Sequence, residues 1–295
     1  MQKSAIDTSS ISFTALYTGH VWFANGLSDN AFHTRKGSFF YHALAPFEYV
    51  GKRLVGGDIK TFLLQRHFLI DHLLTTAIEH EGVEQVLEIA CGLSPRGYRY
   101  SQRYRNLKYV EADLPDMAAR KHRLLSEKQL LNHNHQVVPL NILSQKSVDS
   151  LETVIDHSFE RDKPLLVITE GLVNYFSTDS ITPFWQRLHD CLAEFPMGIY
   201  LTDNYPLLHD HPFRRTLSVL GSMLGAVSRS EVSFHFCSDE EAESYFTQLG
   251  FERVNVRNPR AYYDSLDIPR TRINSLVRII EARTGRALDK KDKKD

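Results

Sequence analysis

The sequence predicts an α/β fold, a parallel sheet with helices on both faces. From Val83 onward, short apolar runs alternate with amphipathic ones, the signature of strands separated by helices. Most of the short runs are rich in β-branched residues, as strands buried on both faces are. Nearly every run also ends in a small or polar residue, placed where the loops of an open α/β sheet meet a ligand. The chain has 295 residues, enough for one large domain with additions or two small ones, and either can bury a sizeable core.

The strands expected are Gln85 to Ala90, Leu107 to Ala112, Gln136 to Leu140, Leu165 to Thr169, Ile199 to Thr202 and Phe251 to Val256. Between them, Asp116 to Leu131 follows a proline in its first turn, and Asp179 to Phe195 carries Ile181, Phe184, Trp185, Leu188, Leu192 and Phe195 at helical spacing. Ser238 and Glu241 form a capping box, Tyr245, Phe246 and Leu249 a buried stripe, and Gly250 a stop. Asp267 to Arg283 reads equally as helix or strand. Before Val83, Ile59 to His80 has the apolar repeat of a helix, and Ser10 to Tyr49 is aromatic-rich without a clear period. Residues 1–82 are therefore expected to form a helical, aromatic cap and 83–288 the sheet domain. The segment 205–235 should be a lid insert and 289–295, alternating Asp and Lys, a disordered tail.

Composition excludes several classes. Thirty-five Lys and Arg against 36 Asp and Glu leave a net charge of -1, without the basic excess of proteins that hold nucleic acid or anionic membranes. Cys91, Cys191 and Cys237 are odd in number and far apart, indicating neither a disulfide framework nor a zinc knuckle and pointing to a cytoplasmic home. Met1 to Phe13 lacks the apolar core of a secretory signal, and Leu217 to Val227 falls short of the ~20 residues of a membrane span, so a soluble protein is expected. His133 and His135, like His209 and His211, read as loop histidines, and no metal site is expected. Arg96, Arg99 and Arg103 read as a solvated helical face, and Cys91 as a small packing residue.

The strand ends supply the candidate site. The first turn, Val86-Leu87-Glu88-Ile89-Ala90-Cys91-Gly92-Leu93-Ser94-Pro95, has Gly92 for close backbone approach and Ser94 and Pro95 as cap and first position of a helix. It lacks the dinucleotide fingerprint, since Ala90 replaces the first glycine and Pro95 the last. Asp113 follows Gly92 at the separation from which a carboxylate accepts both ribose hydroxyls of an adenosine, a reading preferred to a cap for the helix after Pro115. Arg66 falls on the apolar stripe of its helix and needs an anion, either a structural carboxylate such as Glu88 or the carboxylate of an amino-acid-like ligand.

Val86 to Tyr100 (VLEIACGLSPRGYRY), Tyr109 to Leu125 (YVEADLPDMAARKHRLL) and Leu165 to Phe176 (LLVITEGLVNYF) resemble the three signature blocks of the leucine carboxyl methyltransferase family, which includes bacterial O-methyltransferases of the tetracenomycin polyketide type. The resemblance runs from about Arg66 to Asn258. It implies a class I, Rossmann-like, S-adenosylmethionine-dependent methyltransferase. On that likeness Arg66 holds the methionine carboxylate, the turn with Glu88, Ala90 and Gly92 lies against methionine and ribose, and Asp113 takes the ribose hydroxyls. Asn141, where the family often has Asp, and Ile142 line the adenine site; Glu170 receives the methionine ammonium, and Tyr175 sits near the transferred methyl. Ala90 stands where the family has Gly, which requires a negative φ there.

The expected reaction is methyl transfer to the carboxylate or hydroxyl of a small, aromatic or polyketide-like acceptor. A carboxylate needs no general base, whereas a hydroxyl needs one within reach. Tyr17, His20, Trp22 and Tyr41 of the cap, with Tyr175, are the candidates near the acceptor. Competing readings are a protein C-terminal carboxyl methyltransferase, a nucleotide-linked oxidoreductase and a non-catalytic cofactor-binding protein. No nucleic-acid or membrane partner is expected, and the sequence leaves the oligomeric state open.

Overall fold

The computed structural model describes residues 8–43, 58–206, 233–272 and 274–285. The expected lid lies largely outside the described residues, as do His209, His211 and the tail. The elements run α1 (Thr8–Ala24), α2 (35–43), α3 (Ile59–Glu81), β1 (Gln85–Ile89), α4 (Arg96–Arg103), β2 (Lys108–Asp113), α5 (Pro115–Glu127) and β3 (His135–Pro139). They continue with α6 (Leu151–Ser158), β4 (Leu165–Thr169), α7 (Thr178–Leu192), β5 (Gly198–Asn204), α8 (Asp239–Gln248), β6 (Arg253–Arg257) and β7 (Arg278–Thr284). No helix among the described residues is long and apolar enough to cross a membrane.

The strands make one seven-stranded sheet in the order β3-β2-β1-β4-β5-β7-β6. β1 to β5 are parallel, and β7 runs antiparallel between β5 and β6. β1 and β4 sit at the centre and are buried along their whole length, so their side chains are apolar on both faces apart from Gln85, Glu88 and Thr169. The sheet divides the core in two. On one face Phe62, Leu69, Ile70 and Leu74 of α3 and Tyr100 of α4 pack on Val86, Tyr109, Leu166 and Ile168. On the other, Trp185, Phe184, Leu188 and Phe246 of α7 and α8 pack on Leu87, Val110, Val167 and Tyr200. Although α3 precedes Val83 in sequence, it is a layer of the sheet domain.

Local signals set the ends of these helices. The Asp58 carboxylate accepts from the Thr61 N–H at 2.6 Å to start α3, and Gly82, at φ 78, ends it in the left-handed conformation. The Ser238 hydroxyl accepts from Glu241 N–H at 3.1 Å, as the capping box requires. α5 starts at Pro115 and ends at Glu127, four residues before the expected end. α4 begins at Arg96, one residue later than expected: Ser94 Oγ accepts from the Arg96 N–H at 3.3 Å while Pro95 is the flanking residue.

The ambiguous C-terminal segment resolves as β7. Its charged residues mimic a helix pattern, but each is paired in place: Arg278 with Asp239, Glu281 with Arg257, and Arg283 with both Glu281 and Glu81.

Candidate functional site

β1, β2, β4 and β5 end on one edge of the sheet, and α3 and α4 bring charges to it from one face. α3 contributes Arg66, His67 and Asp71, which lie on the same side of the helix by its 3.6-residue period. Arg66 Nε donates to Glu170 Oε1 at 3.0 Å, and its Nη1 donates to Asp203 Oδ2 at 3.0 Å and to the Tyr205 hydroxyl at 3.1 Å. The partner of Arg66 within the protein is therefore Glu170 with Asp203, not Glu88. Glu88 instead takes Arg96 Nη1 at 2.6 Å and the Tyr109 hydroxyl at 2.7 Å, so both of its oxygens are engaged inside the protein.

Arg96 overturns the expectation of a solvated face, because it is fully buried. Its Nε donates to Asp71 Oδ1 at 2.6 Å and its Nη2 to Glu170 Oε2 at 2.5 Å, with His67 Nδ1 2.8 Å from the same nitrogen. Arg99, partly exposed, reaches Asp71 from the surface, and Arg103 pairs with Glu79 in solvent. A sequence signal for Arg96 existed: a cation in the first turn of a helix opposes the dipole, so it needs nearby anions. His67, Asp71 and Tyr205 join the site without having been expected there. His67 and Asp71 flank Ile70 and carry the mark of the buried side, whereas Tyr205 has no sequence signature.

Burial would discharge these groups, and their partners prevent it. Burial raises the carboxyl of Glu170, but Arg96, His67 and Arg66 together hold it well below the usual carboxylate range. Burial likewise opposes the charge on Arg66, and Tyr205, Asp203 and Glu170 more than offset it, raising its pKa well above normal. Asp203 is itself raised by burial, which Arg66 and the Gly171 N–H only partly counter. Burial pushes the Tyr205 phenol up to about 12.

The first turn follows a different plan. Asp113 Oδ2 accepts from the Gly92 N–H and Oδ1 from the Leu114 N–H, each at 2.8 Å. α5 is flanked by Leu114 without a side-chain cap, so Asp113 does not cap that helix. Its carboxyl is raised by burial, against the pull of the two N–H groups. Ala90 corrects the expectation of a negative φ: it sits at φ 55, in the left-handed region that costs a non-glycine residue about 1–2 kcal/mol. Gly92 follows at φ 47. Cys91 is buried, and burial lifts its thiol well above normal. α1 lies against this turn: a Cβ on Gly92 would come 3.3 Å from the Ala15 Cβ, and one on Gly19 3.2 Å from the Leu93 Cβ. Trp22 of the same helix lies against His67, with ring centroids 4.9 Å apart and the planes tilted by 39°.

The other expected residues are placed as follows. Asn141 Oδ1 accepts from the Leu143 N–H at 3.0 Å in a side-chain turn, and Ile142 is buried in the core. Tyr175 ends a short 3₁₀ turn, Val173–Tyr175, after Glu170. Tyr17 is buried with Val21 and Leu64. His20 faces α2, with Tyr41 at 4.9 Å and His33 at 5.5 Å, and burial with the neighbouring His33 and His42 lowers its pKa. His135 is not a loop residue: it lies on β3, with Nε2 3.0 Å from Glu111, which also pairs with the buried Lys121 at 2.7 Å. Among the described residues no group of three or more His, Cys, Asp or Glu could hold a metal.

The arrangement fits S-adenosylmethionine. Arg66 Nη2 donates to nothing among the described residues and can take a carboxylate. Among the described residues Glu170 Oε1 accepts from Arg66 alone, which leaves a lone pair for an ammonium, and each oxygen of Asp113 accepts one N–H, which leaves one for a hydroxyl. Asp71, Glu88, Glu170 and Asp203 converge there on Arg66, Arg96 and Arg99, with His67 between them. Gly171, at φ 70, lets its turn lie on the Arg66 guanidinium, since a Cβ there would stand 3.0 Å from Nη1. The side-chain nitrogens of Trp22 and Asn204 are buried without hydrogen-bond partners among the described residues.

Solved structures show the same fold at low identity. A provisionally assigned methyltransferase from Thermobifida fusca YX shares 15% identity over 95% of this chain and 97% of its own, with a TM-score of 0.58. A DUF574 family protein from Streptomyces avermitilis MA-4680 shares 10% identity over 92% of this chain and 97% of its own, also at 0.58. The S-adenosylmethionine-dependent methyltransferase SibL shares 12% identity over 85% of this chain at 0.51, and the chain spans 60% of SibL's length. No curated protein matches the chain by sequence. The family model for leucine carboxyl methyltransferase matches residues 27–188, more than half of the sequence. With that match and the class I methyltransferase sheet, the chain belongs to the leucine carboxyl methyltransferase family, whose cofactor is S-adenosylmethionine.

Proposed function

We propose that this protein is an O-methyltransferase acting on the carboxylate or hydroxyl of a small, aromatic or polyketide-like acceptor. The observation that carries the reading is the position of α1, whose Ala15 and Gly19 rest on the cofactor turn. The same helix and α2 carry a cluster of aromatic side chains, Tyr17, Phe40 and Tyr41. Aromatic walls beside a cofactor turn suit a flat organic molecule, which they desolvate while a few polar groups orient it.

S-adenosylmethionine supplies an activated methyl on a sulfonium, so the protein's work is to orient the acceptor and exclude water. Arg66 and Glu170 hold the two ends of the amino-acid moiety, Asp113 the ribose, and Asn141 and Ile142 the adenine. Tyr175 follows Glu170 by one short turn and is the residue of this segment set to touch the acceptor. A carboxylate acceptor loses no proton and needs no base. For a phenol, His20 is the cap group proposed to take the proton, with Tyr17 beside it near the acceptor; the lowered pKa of His20 leaves its imidazole neutral near pH 7 and able to accept. Cysteines 91, 191 and 237 are all free thiols, which suits a cytoplasmic protein.

The test offers labelled S-adenosylmethionine with a panel of aromatic acids and phenols, and separately with cell protein extract. Label is expected on the small molecules. Transfer confined to protein carboxyl termini overturns the acceptor class and leaves methyl transfer intact. Calorimetric binding of NAD in place of S-adenosylmethionine would overturn both.

A further inference from the structure

We propose that Arg96 is a positioning residue of the cofactor site, the hub that keeps the Glu170 carboxylate aimed at the ligand's ammonium group. The inference rests on the reading of Glu170 as the ammonium acceptor and assigns the residue that makes it one. Arg96 is 0% exposed, so it offers no surface for a ligand to touch, and any effect on binding passes through its neighbours. Its guanidinium is used on every side. Nε binds Asp71 at 2.6 Å, Nη1 binds Glu88 at 2.6 Å, and Nη2 binds Glu170 at 2.5 Å. Three carboxylates from α3, β1 and the end of β4 thus converge on one planar cation.

That geometry sets what Glu170 can still do. Arg96 takes Oε2 and Arg66 takes Oε1, so the carboxylate is gripped from both sides and its plane is fixed. His67 Nδ1 lies 2.8 Å from Arg96 Nη2 and 3.1 Å from Glu170 Oε2. Oε2 is enclosed by these two side chains, and the free lone pair of Oε1 is the one left for the ligand. Without the guanidinium, Glu170, Glu88 and Asp71 would repel one another, and Glu170 would turn away or take a proton. Lysine cannot replace Arg96, because a single ammonium cannot reach three carboxylates in fixed directions.

The experiment separates this role from plain support of the fold by using two ligands in calorimetric titrations. S-adenosylhomocysteine carries the ammonium, and 5′-methylthioadenosine shares the nucleoside and thioether but lacks the amino-acid moiety. Arg96→Lys is expected to weaken S-adenosylhomocysteine roughly tenfold or more, the loss of about one charge-assisted hydrogen bond, while methylthioadenosine binds within about twofold of the parent. Equal weakening of both ligands means that Arg96 merely supports the fold, and it overturns the proposal. Glu170→Gln is the reference: it should lower the affinity ratio in the same way. If it leaves the ratio unchanged, the ammonium reading of Glu170 falls and the proposal with it. If Glu170→Gln lowers the ratio and Arg96→Lys does not, only the role of Arg96 is overturned. Should Arg96→Lys not fold, Asp71→Asn loosens the hub from its far side, at Nε. It is expected to lower the same ratio severalfold, and an unchanged ratio overturns the proposal.

Discussion

Ala90 shows how a single residue carries backbone strain into the site. A non-glycine residue at φ 55 is held there by its surroundings: the Cys91 N–H reaches across to the Ala112 carbonyl at 3.2 Å, and Asp113 ties down Gly92. Replacing Ala90 with glycine removes a strain of about 1–2 kcal/mol and adds about 0.5–1 kcal/mol of unfolded-chain entropy. Ala90→Gly is therefore expected to be neutral or to stabilise by up to ~1.5 kcal/mol, the reverse of the usual alanine-to-glycine effect. Denaturant unfolding with and without S-adenosylhomocysteine measures it, and a loss of stability would show that φ is not strained in solution. At this scale the sequence was informative about residue type and silent about pairing. Arg66 stood out because a guanidinium on an apolar stripe must have an anion. Which anion depended on how far α3 tilts over β4 and β5, a tertiary quantity that left Glu88 and a ligand open while Glu170 and Asp203 are the partners.

Among the elements, the central strands were legible because burial on both faces leaves an unbroken apolar run, as in Leu165–Thr169. Two elements were hidden by their surroundings. α1 is packed on several sides, with Leu16, Tyr17, Val21 and Trp22 all buried, and a helix that is apolar around its circumference has no polar face to reveal its period. β7 hid behind Arg278, Glu281 and Arg283, whose partners lie on α8, β6 and α3, far away in sequence. The closeness of α1 to the β1–α4 turn leads to a prediction about that element. Gly19→Leu favours helix by up to ~1 kcal/mol, yet its Cβ would meet Leu93 at 3.2 Å, so the gain in α1 competes with its seating on the turn. Faster hydrogen exchange in residues 15–24 and in the β1–α4 turn is expected, with β4 and β5 unchanged and weaker S-adenosylhomocysteine binding. Unchanged exchange in the turn would mean that α1 and the turn are not coupled.

Across the whole molecule, the buried charges make stability depend on pH in a direction that can be worked out group by group. Glu170, Asp71 and Glu111 all have carboxyl pKa values lowered in the folded chain, by Arg96, His67 and Arg66 for the first, by His67, Arg96 and Arg99 for the second, and by Lys121 and His135 for the third, each against burial. A lowered folded pKa means that the stabilisation is present above the ordinary carboxylate value of roughly 4 and is lost as pH falls through the folded one. Asp113 and Asp203, raised by burial, act the other way and regain stability when protonated, which softens the acid limb without reversing it. The cleanest readout is a difference between variants. At pH 7, Glu170→Gln leaves Arg96 and Arg66 short of a partner and should cost on the order of 3 kcal/mol, the usual loss when a buried pair is broken from one side. As pH falls below about 4, the unfolded parent takes up a proton at Glu170 while the folded one still holds it as an anion, so unfolding is favoured in the parent and the gap should narrow. Urea unfolding of both proteins from pH 7 to pH 3 measures that gap directly. A gap that stays constant over this range would mean that Glu170 has the same pKa folded and unfolded, and that its two guanidinium partners do not hold it as an anion.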